Sequence, residues 1–170
     1  MRHDLKDPSL VLSGLGIMWK PSDFSEDSIK EIVSRTFGSV CLSFGPFSFS
    51  EFSEYYTQEM GSPLLKSFFV FDKKVSRNDL VSLKKTGYIL ETEFLEKNHR
   101  KINIDPFIVT PENVVISTSK NFSHRIYLGQ GVFGDLVLIY KNKSFQRLPW
   151  SYADYVKYAS FFEKARQLLF

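Results

Sequence analysis

The chain has 170 residues, 43% apolar and 24% charged, with a net charge of +3, a size and balance that fit one globular domain able to bury a sizeable core. The lysines and arginines are dispersed rather than gathered into a basic arm, so the charge permits a nucleic-acid partner without arguing for one. The single cysteine, Cys41, excludes an internal disulfide and suits a reducing compartment, and no apolar stretch approaches the ~20 residues of a membrane-crossing helix.

Leu10 to Trp19 reads as a first strand of a cytoplasmic protein. The mixed charges before it and Lys20-Pro21-Ser22-Asp23 after it do not fit a signal peptide. Gly14 and Gly16 give only half of a dinucleotide-binding fingerprint: the third glycine is missing, and Trp19-Lys20-Pro21 stands where a helix should open. Asp23 and Glu26 have capping-box spacing for a first helix, in which Ile29, Ile32, Val33 and Phe37 recur at helical intervals and Gly38 provides the stop. Ser39 to Phe44 predicts a second strand ended by Gly45-Pro46, and Phe47 to Gly61 an aromatic, extended cover for the core.

Leu64 to Phe71 predicts a third strand. Ser76 and Asp79 then cap a second helix whose apolar stripe runs Leu80, Leu83, Gly87, Leu90, Phe94. Gly87 weakens that helix by about 1 kcal/mol relative to alanine, which points to a close approach by another element. Lys97 to Lys101 reads as a solvated turn after the helix. Strands follow over 102–109, 113–117, 125–128 and 131–140, then a turn at Lys141-Asn142-Lys143 and a return strand over 144–148. A last helix is expected from Ser151 to the end. The fold expected is α+β: a mostly antiparallel sheet with a ferredoxin-like β-α-β-β-α-β start, a β-meander and a C-terminal helix, in a single domain.

Familiar catalytic patterns are absent. Gly61-Ser62-Pro63-Leu64-Leu65-Lys66-Ser67 lacks the glycine before the lysine of a phosphate loop, and Pro63 removes a backbone donor that such a loop needs. His3, His99 and His124 are far apart and no cysteine pair exists, which argues against a zinc site. A Mg²⁺ site drawn from Asp105, Asp135 or Asp154 stays open, since Mg²⁺ needs only one or two carboxylates beside ligand phosphates. No G-x-S-x-G elbow is present. The densest polar chemistry is Thr118 to Tyr127, where Lys120, His124, Arg125 and Tyr127 lie between two strand-like runs. If this stretch is extended, His124 and Arg125 point to opposite faces, and only a bulge or loop brings them together.

Several segments together resemble a prokaryotic family, the domain-of-unknown-function family 4416, over nearly the whole chain. Its Y-Y-x-x-E-M-G pattern is matched by Tyr55 to Gly61, with Lys66 downstream at a position that is basic in the family. Its R-x-x-N-x-D-P-G-Y pattern is matched by Arg100, Asn103, Asp105 and Pro106, after which Phe107-Ile108 departs from it. T-x-K-N-x-x-H-R-I-Y-L is matched in full by Thr118, Lys120, Asn121, His124, Arg125, Ile126, Tyr127 and Leu128. G-I-x-x-E is matched by Gly131 to Asp135 with aspartate for glutamate, and W-T-Y-P-D-Y by Trp150 to Tyr155 with Ser151 and Ala153 differing.

The family carries no established activity. Its members often bear a GTP-binding label, although the loop that label implies is missing here. The resemblance implies that polar groups from separate segments form one pocket. Its carboxylates would be Glu59, Asp105, Asp135 and Asp154, and its cations Lys66, Arg100, Lys120 and Arg125. Asn103, Asn121, His124, Tyr55, Tyr56, Tyr127 and Tyr152 would complete it. Such a pocket suits an anionic, phosphate-bearing small molecule. Arg125 would grip the anion bidentately, and His124, with Glu59 and Asp105, would do any acid–base work. The alternatives are a nucleotide or RNA-binding module that stacks bases on aromatic rings, and an interaction protein with a buried ion-pair network.

Overall fold

The structure, a computed structural model, describes residues 4–170. Its strands are β1 (Val11–Trp19), β2 (Val40–Ser48), β3 (Leu65–Val75), β4 (Leu95–Glu96), β5 (His99–Arg100), β6 (Ile102–Val109), β7 (Asn113–Thr118), β8 (Arg125–Gly129), β9 (Val132–Lys141) and β10 (Ser144–Arg147). Its helices are α1 (Glu26–Phe37), α2 (Thr57–Met60), α3 (Leu80–Glu93), α4 (Ala153–Lys157) and α5 (Ala159–Gln167). No described helix is long and apolar enough to cross a membrane.

One sheet of eight strands runs in the order β10-β9-β7-β6-β1-β3-β2, with β8 added along β9, and every neighbouring pair is antiparallel. With β6 as the fourth strand, β6-β1-β3-β2 is the ferredoxin-like arrangement that the element order predicts. Alternation along β1 divides the core. Leu15, Ile17 and Trp19 pack with Ile29, Ile32 and Val33 of α1 and Leu90 of α3. Leu12 packs on the opposite face with Phe161, Phe162 and Ala165 of α5. The aromatic content is mostly core, as in the contacts of Phe68 with Phe107, Tyr155, Phe161 and Phe162.

Several local expectations are corrected. Ser25, not Asp23, caps α1, its side chain accepting from Ser28 N at 3.1 Å, while Asp23 pairs with Lys101. β2 runs through Gly45-Pro46 to Ser48, because a register irregularity between Phe44 and Phe47 absorbs the proline on an edge strand. The cover over 47–61 is partly helical: α2 ends it, and Phe49 and Met60 bury against Met18 and Leu64. Lys97 and Asn98, at φ 50° and 66°, form the turn of a β4–β5 hairpin rather than a free loop. The C-terminal helix is two helices that meet at Tyr158. Ser76 and Asp79 do form a capping box, on a short 3₁₀ turn that leads into α3.

Candidate functional site

The site begins where two strands part. β6 pairs with β1 along its whole length, but with β7 only over Phe107 to Val109. Pro106 has no N–H to extend that ladder, and Ser117 Oγ donates to the Pro106 carbonyl at 3.0 Å instead. Beyond this point the edge of β6 is served by α3: Ile104 N donates to the Glu91 carboxylate, and Lys84 Nζ donates to Ile104 O at 2.9 Å. Gly87 lets the helix lie this close, since a Cβ there would stand 3.1 Å from Ile104 Cγ2 and 3.5 Å from Pro106 Cγ. The opening between Asp105 and Thr118 is a cavity of about 360 Å³.

Eight segments supply its wall, Lys84 of α3 among them. From β1 and β3 come Met18 and Lys66, and from the stretch after β2 come Phe49, Ser53, Tyr55 and Tyr56. Arg100, Asn103 and Asp105 enter from β5 and β6, Ile116 to Lys120 excluding Ser117 from the end of β7, and Arg125 from the start of β8. Tyr152, Asp154 and Tyr155 close it from α4.

Most charges here are already paired. Lys66 and Asp154, both buried, meet at 2.7 Å, with Lys66 Nζ also 5.1–5.3 Å from the ring centroids of Phe49, Phe68 and Tyr155. Arg100 grips Glu59 bidentately at 2.6 and 2.7 Å and donates to Asn103 Oδ1, whose amide donates to Asp105 Oδ2 at 2.8 Å. The Arg100 guanidinium holds the Glu59 carboxyl below the usual range. Asp105 also lies 3.8 Å from Lys84 Nζ. Arg125 Nε donates to Asp135 Oδ2 at 2.8 Å, and its other nitrogens reach Lys120 O and Tyr152 Oη.

Lys120 differs. Among the described residues its ammonium has no carboxylate partner; it donates to Tyr55 Oη at 3.0 Å and lies 4.5 Å from that ring's centroid. Lys120 in turn lowers the Tyr55 phenol from its ordinary range. Burial raises the phenols of Tyr56, Tyr152 and Tyr155, that of Tyr152 to about 12, so all three are neutral donors at pH 7.

The expected residues separate into two groups. Lys66, Arg100, Asn103, Asp105, Lys120, Arg125, Tyr55, Tyr56, Tyr152 and Asp154 line the cavity. His124, Glu59, Asn121, Tyr127 and Asp135 do not. Glu59 and Asp135 stand behind Arg100 and Arg125. His124 precedes β8 in a turn, stacks on Trp150 with centroids 4.9 Å apart, and brings Nε2 within 3.5 Å of the Asp135 oxygen that Arg125 holds. Asn121 is exposed, and Tyr127 packs on Phe133 in the β8–β9 hairpin, its hydroxyl accepting from Gly131 N. Sequence reading leaves out Lys84 and Tyr155. Lys84 had a signal: with Gly87 and Glu91 it makes a polar line along α3 from Leu80, at helical spacing. Tyr155 had none beyond its place in an aromatic helix.

Among the described residues no cluster of histidine, cysteine and carboxylate groups is placed to hold a metal ion; His3 lies outside them.

The fold is thus an α+β protein in which a split between two strands of a ferredoxin-like sheet opens into a charged, aromatic-walled cavity. The profile of one family, described as Domain of unknown function (DUF4416), matches residues 10–169, and the chain belongs to that family. No curated protein and no solved structure matches it.

Proposed function

We propose that the cavity binds an anionic, phosphate-bearing small molecule. The observation that carries the reading is Lys120: a cation on the cavity wall with no carboxylate partner among the described residues, whose backbone carbonyl accepts from the guanidinium of Arg125 on the same wall. The anion would lie between these two groups, and the rings of Tyr55 and Tyr56 would take the apolar part of the ligand. Asp105, on the wall and partly exposed, is the carboxylate that would accept from a ligand N–H or O–H. His124 would act on the ligand only through Asp135 and Arg125, and the acid–base work proposed for it and Glu59 would pass to Asp105.

The test is thermal unfolding against nucleotides, sugar phosphates and organic phosphates, with and without Mg²⁺. A compound at ~100 times its dissociation constant adds about 2.7 kcal/mol, a rise in Tm of several degrees. At the same concentration the rise should fall to about half in Lys120→Ala, as a tenfold weaker site requires. No rise from any phosphate compound would sink the reading. Turnover unchanged in His124→Gln would sink the histidine's part in catalysis alone.

A second reading has its own support. Lys66, Arg100 and Arg125 already have carboxylate partners, as in a structural ion-pair network that fixes the ends of β6, β8 and α4. That reading leaves Lys120 unused and gives no ligand response. An RNA partner stacked on the exposed aromatics is distinguished by a steep fall of affinity with salt.

A further inference from the structure

We infer that the floor of this cavity is a subsite for a carbonyl oxygen, formed by Tyr155 Oη and Lys66 Nζ above Gly16. The inference rests on the anion-pocket reading and narrows it: the ligand is a phosphate-bearing ketone or aldehyde, with its anionic end at Lys120 and its carbonyl at the floor.

Tyr155 is 1% exposed and lines the cavity, yet among the described residues its buried hydroxyl has no hydrogen-bond partner. Buried hydroxyls are normally satisfied, and one that is not marks a place where a partner is missing. Lys66 is buried beside it. An ammonium has three donors, and the hydrogen bond that Lys66 makes among the described residues is to Asp154. The surrounding rings of Phe49, Phe68 and Tyr155 favour its charge but offer no oxygen acceptor.

The two groups meet over one glycine. A Cβ on Gly16 would stand 2.9 Å from Lys66 Cε and 3.3 Å from Tyr155 Oη, so both side-chain ends fold over bare backbone. Two sets of unused donors therefore converge at the buried end of the cavity.

The chemistry of the acceptor follows from Asp154. That carboxylate already balances Lys66, and a second buried anion would lose its hydration while facing a like charge. A neutral acceptor avoids this cost. A carbonyl oxygen has two lone pairs for the two donors and brings no hydrogen that would need an acceptor of its own. Burial holds the Tyr155 phenol well above the usual tyrosine range, so it is protonated and donating at neutral pH.

The experiment uses the full chain and two matched series: methyl-ketone phosphates of increasing length, and alkyl phosphates of the same lengths. Dissociation constants are read by calorimetry for the wild type, Tyr155→Phe and Gly16→Ala. In the wild type, one ketone length should bind about tenfold more tightly than its alkyl partner, the worth of one good buried hydrogen bond. Tyr155→Phe keeps the ring packing, so it should fold with unchanged or raised Tm and bring that ratio to about one. Gly16→Ala, whose methyl would press on Lys66 Cε and Tyr155 Oη, should likewise bring the ratio to about one.

Equal binding of the two series to the wild type, or a ratio that survives Tyr155→Phe, would overturn the subsite and leave the anion pocket standing. A lower Tm for ligand-free Tyr155→Phe would also overturn it, by showing the hydroxyl already bonded in the empty protein. If neither series binds, the subsite falls, and the pocket reading falls with it only if the wider phosphate panel also gives no rise in Tm.

Discussion

Arg125 and Asp135 stand opposite each other in the β8–β9 ladder, and Arg125 Nε donates to Asp135 Oδ2 at 2.8 Å. Asp135 is buried, its second oxygen has no partner among the described residues, and His124 and Tyr152 approach the oxygen that Arg125 already holds. Removing Arg125 would leave a buried carboxylate with only these longer contacts. Arg125→Ala should therefore destabilise the protein by about 3 kcal/mol in urea unfolding. Adding Asp135→Asn removes the stranded charge, so the double variant should be more stable than Arg125→Ala alone. If Arg125→Ala is as stable as the wild type, the pair is not structural.

Lys120 should behave in the opposite way. It is exposed, and among the described residues its amine has its hydrogen bond and its ring contact with the exposed Tyr55. Lys120→Ala should change stability by less than about 0.5 kcal/mol, while weakening phosphate-compound binding by about tenfold, as expected for one lost charge-assisted hydrogen bond. It should also raise the phenol pKa of Tyr55, because Lys120 is the main cause of its lowering. Ultraviolet titration of phenolate, wild type minus variant, reads this directly. An unchanged titration would mean that the two residues do not meet in solution.

The order of strands and helices was legible because each long element carried its own period: the stripe of α1, the capped start of α3, and the apolar runs of β1, β3, β6 and β9. Sequence neighbours also brought together Lys120 and Arg125, whose side chains line one cavity. What stayed hidden depends on contacts between distant segments. The gap between β6 and β7 arises because Pro106 stops a ladder and α3 takes over the free edge. The spacing of Lys84 and Glu91 marks one side of α3, but nothing local tells that this side meets the free edge of β6. His124 and Arg125 converge because the chain turns just before β8, so strict alternation does not apply to them. The gap between β8 and β10 on the outer side of β9 is likewise non-local: Trp150 Nε1 and Ser151 Oγ fill it by donating to Leu136 O and Val137 O.

The Glu59–Arg100 pair sets a pH dependence. Hydrogen bonds from Arg100 depress the Glu59 carboxyl below its ordinary value of 4.5. A depressed acid adds stability above its unfolded value, and that stability is lost as pH falls through the lower folded value. Wild type should thus lose stability below about pH 4.5 relative to Glu59→Gln, by about 1 kcal/mol after allowing for partial exposure. Glu91 opposes it. Burial raises that carboxyl, so its contribution is fully present below the unfolded value and is lost as pH rises through the folded one. Urea unfolding of wild type, Glu59→Gln and Glu91→Gln between pH 3 and 7 separates the two. Parallel curves for wild type and Glu59→Gln would show that the pair does not hold in solution.

Gly87 decides how close α3 can lie to the open edge of β6. In an exposed helix, Gly→Ala gains about 1 kcal/mol. Here the new methyl would stand 3.1 Å from Ile104 Cγ2, and Ile104 is fully buried in the core beneath α3, so it must shift against packed neighbours. Overpacking of this kind costs about 1–3 kcal/mol. The clash should outweigh the propensity, leaving Gly87→Ala about 1 kcal/mol less stable than wild type. The displaced helix would also draw Glu91 and Lys84 away from Ile104, so amide exchange at Ile104 should speed up more than at its neighbours in β6. A more stable Gly87→Ala with unchanged exchange at Ile104 would mean that the contact is loose and that the glycine serves some other end.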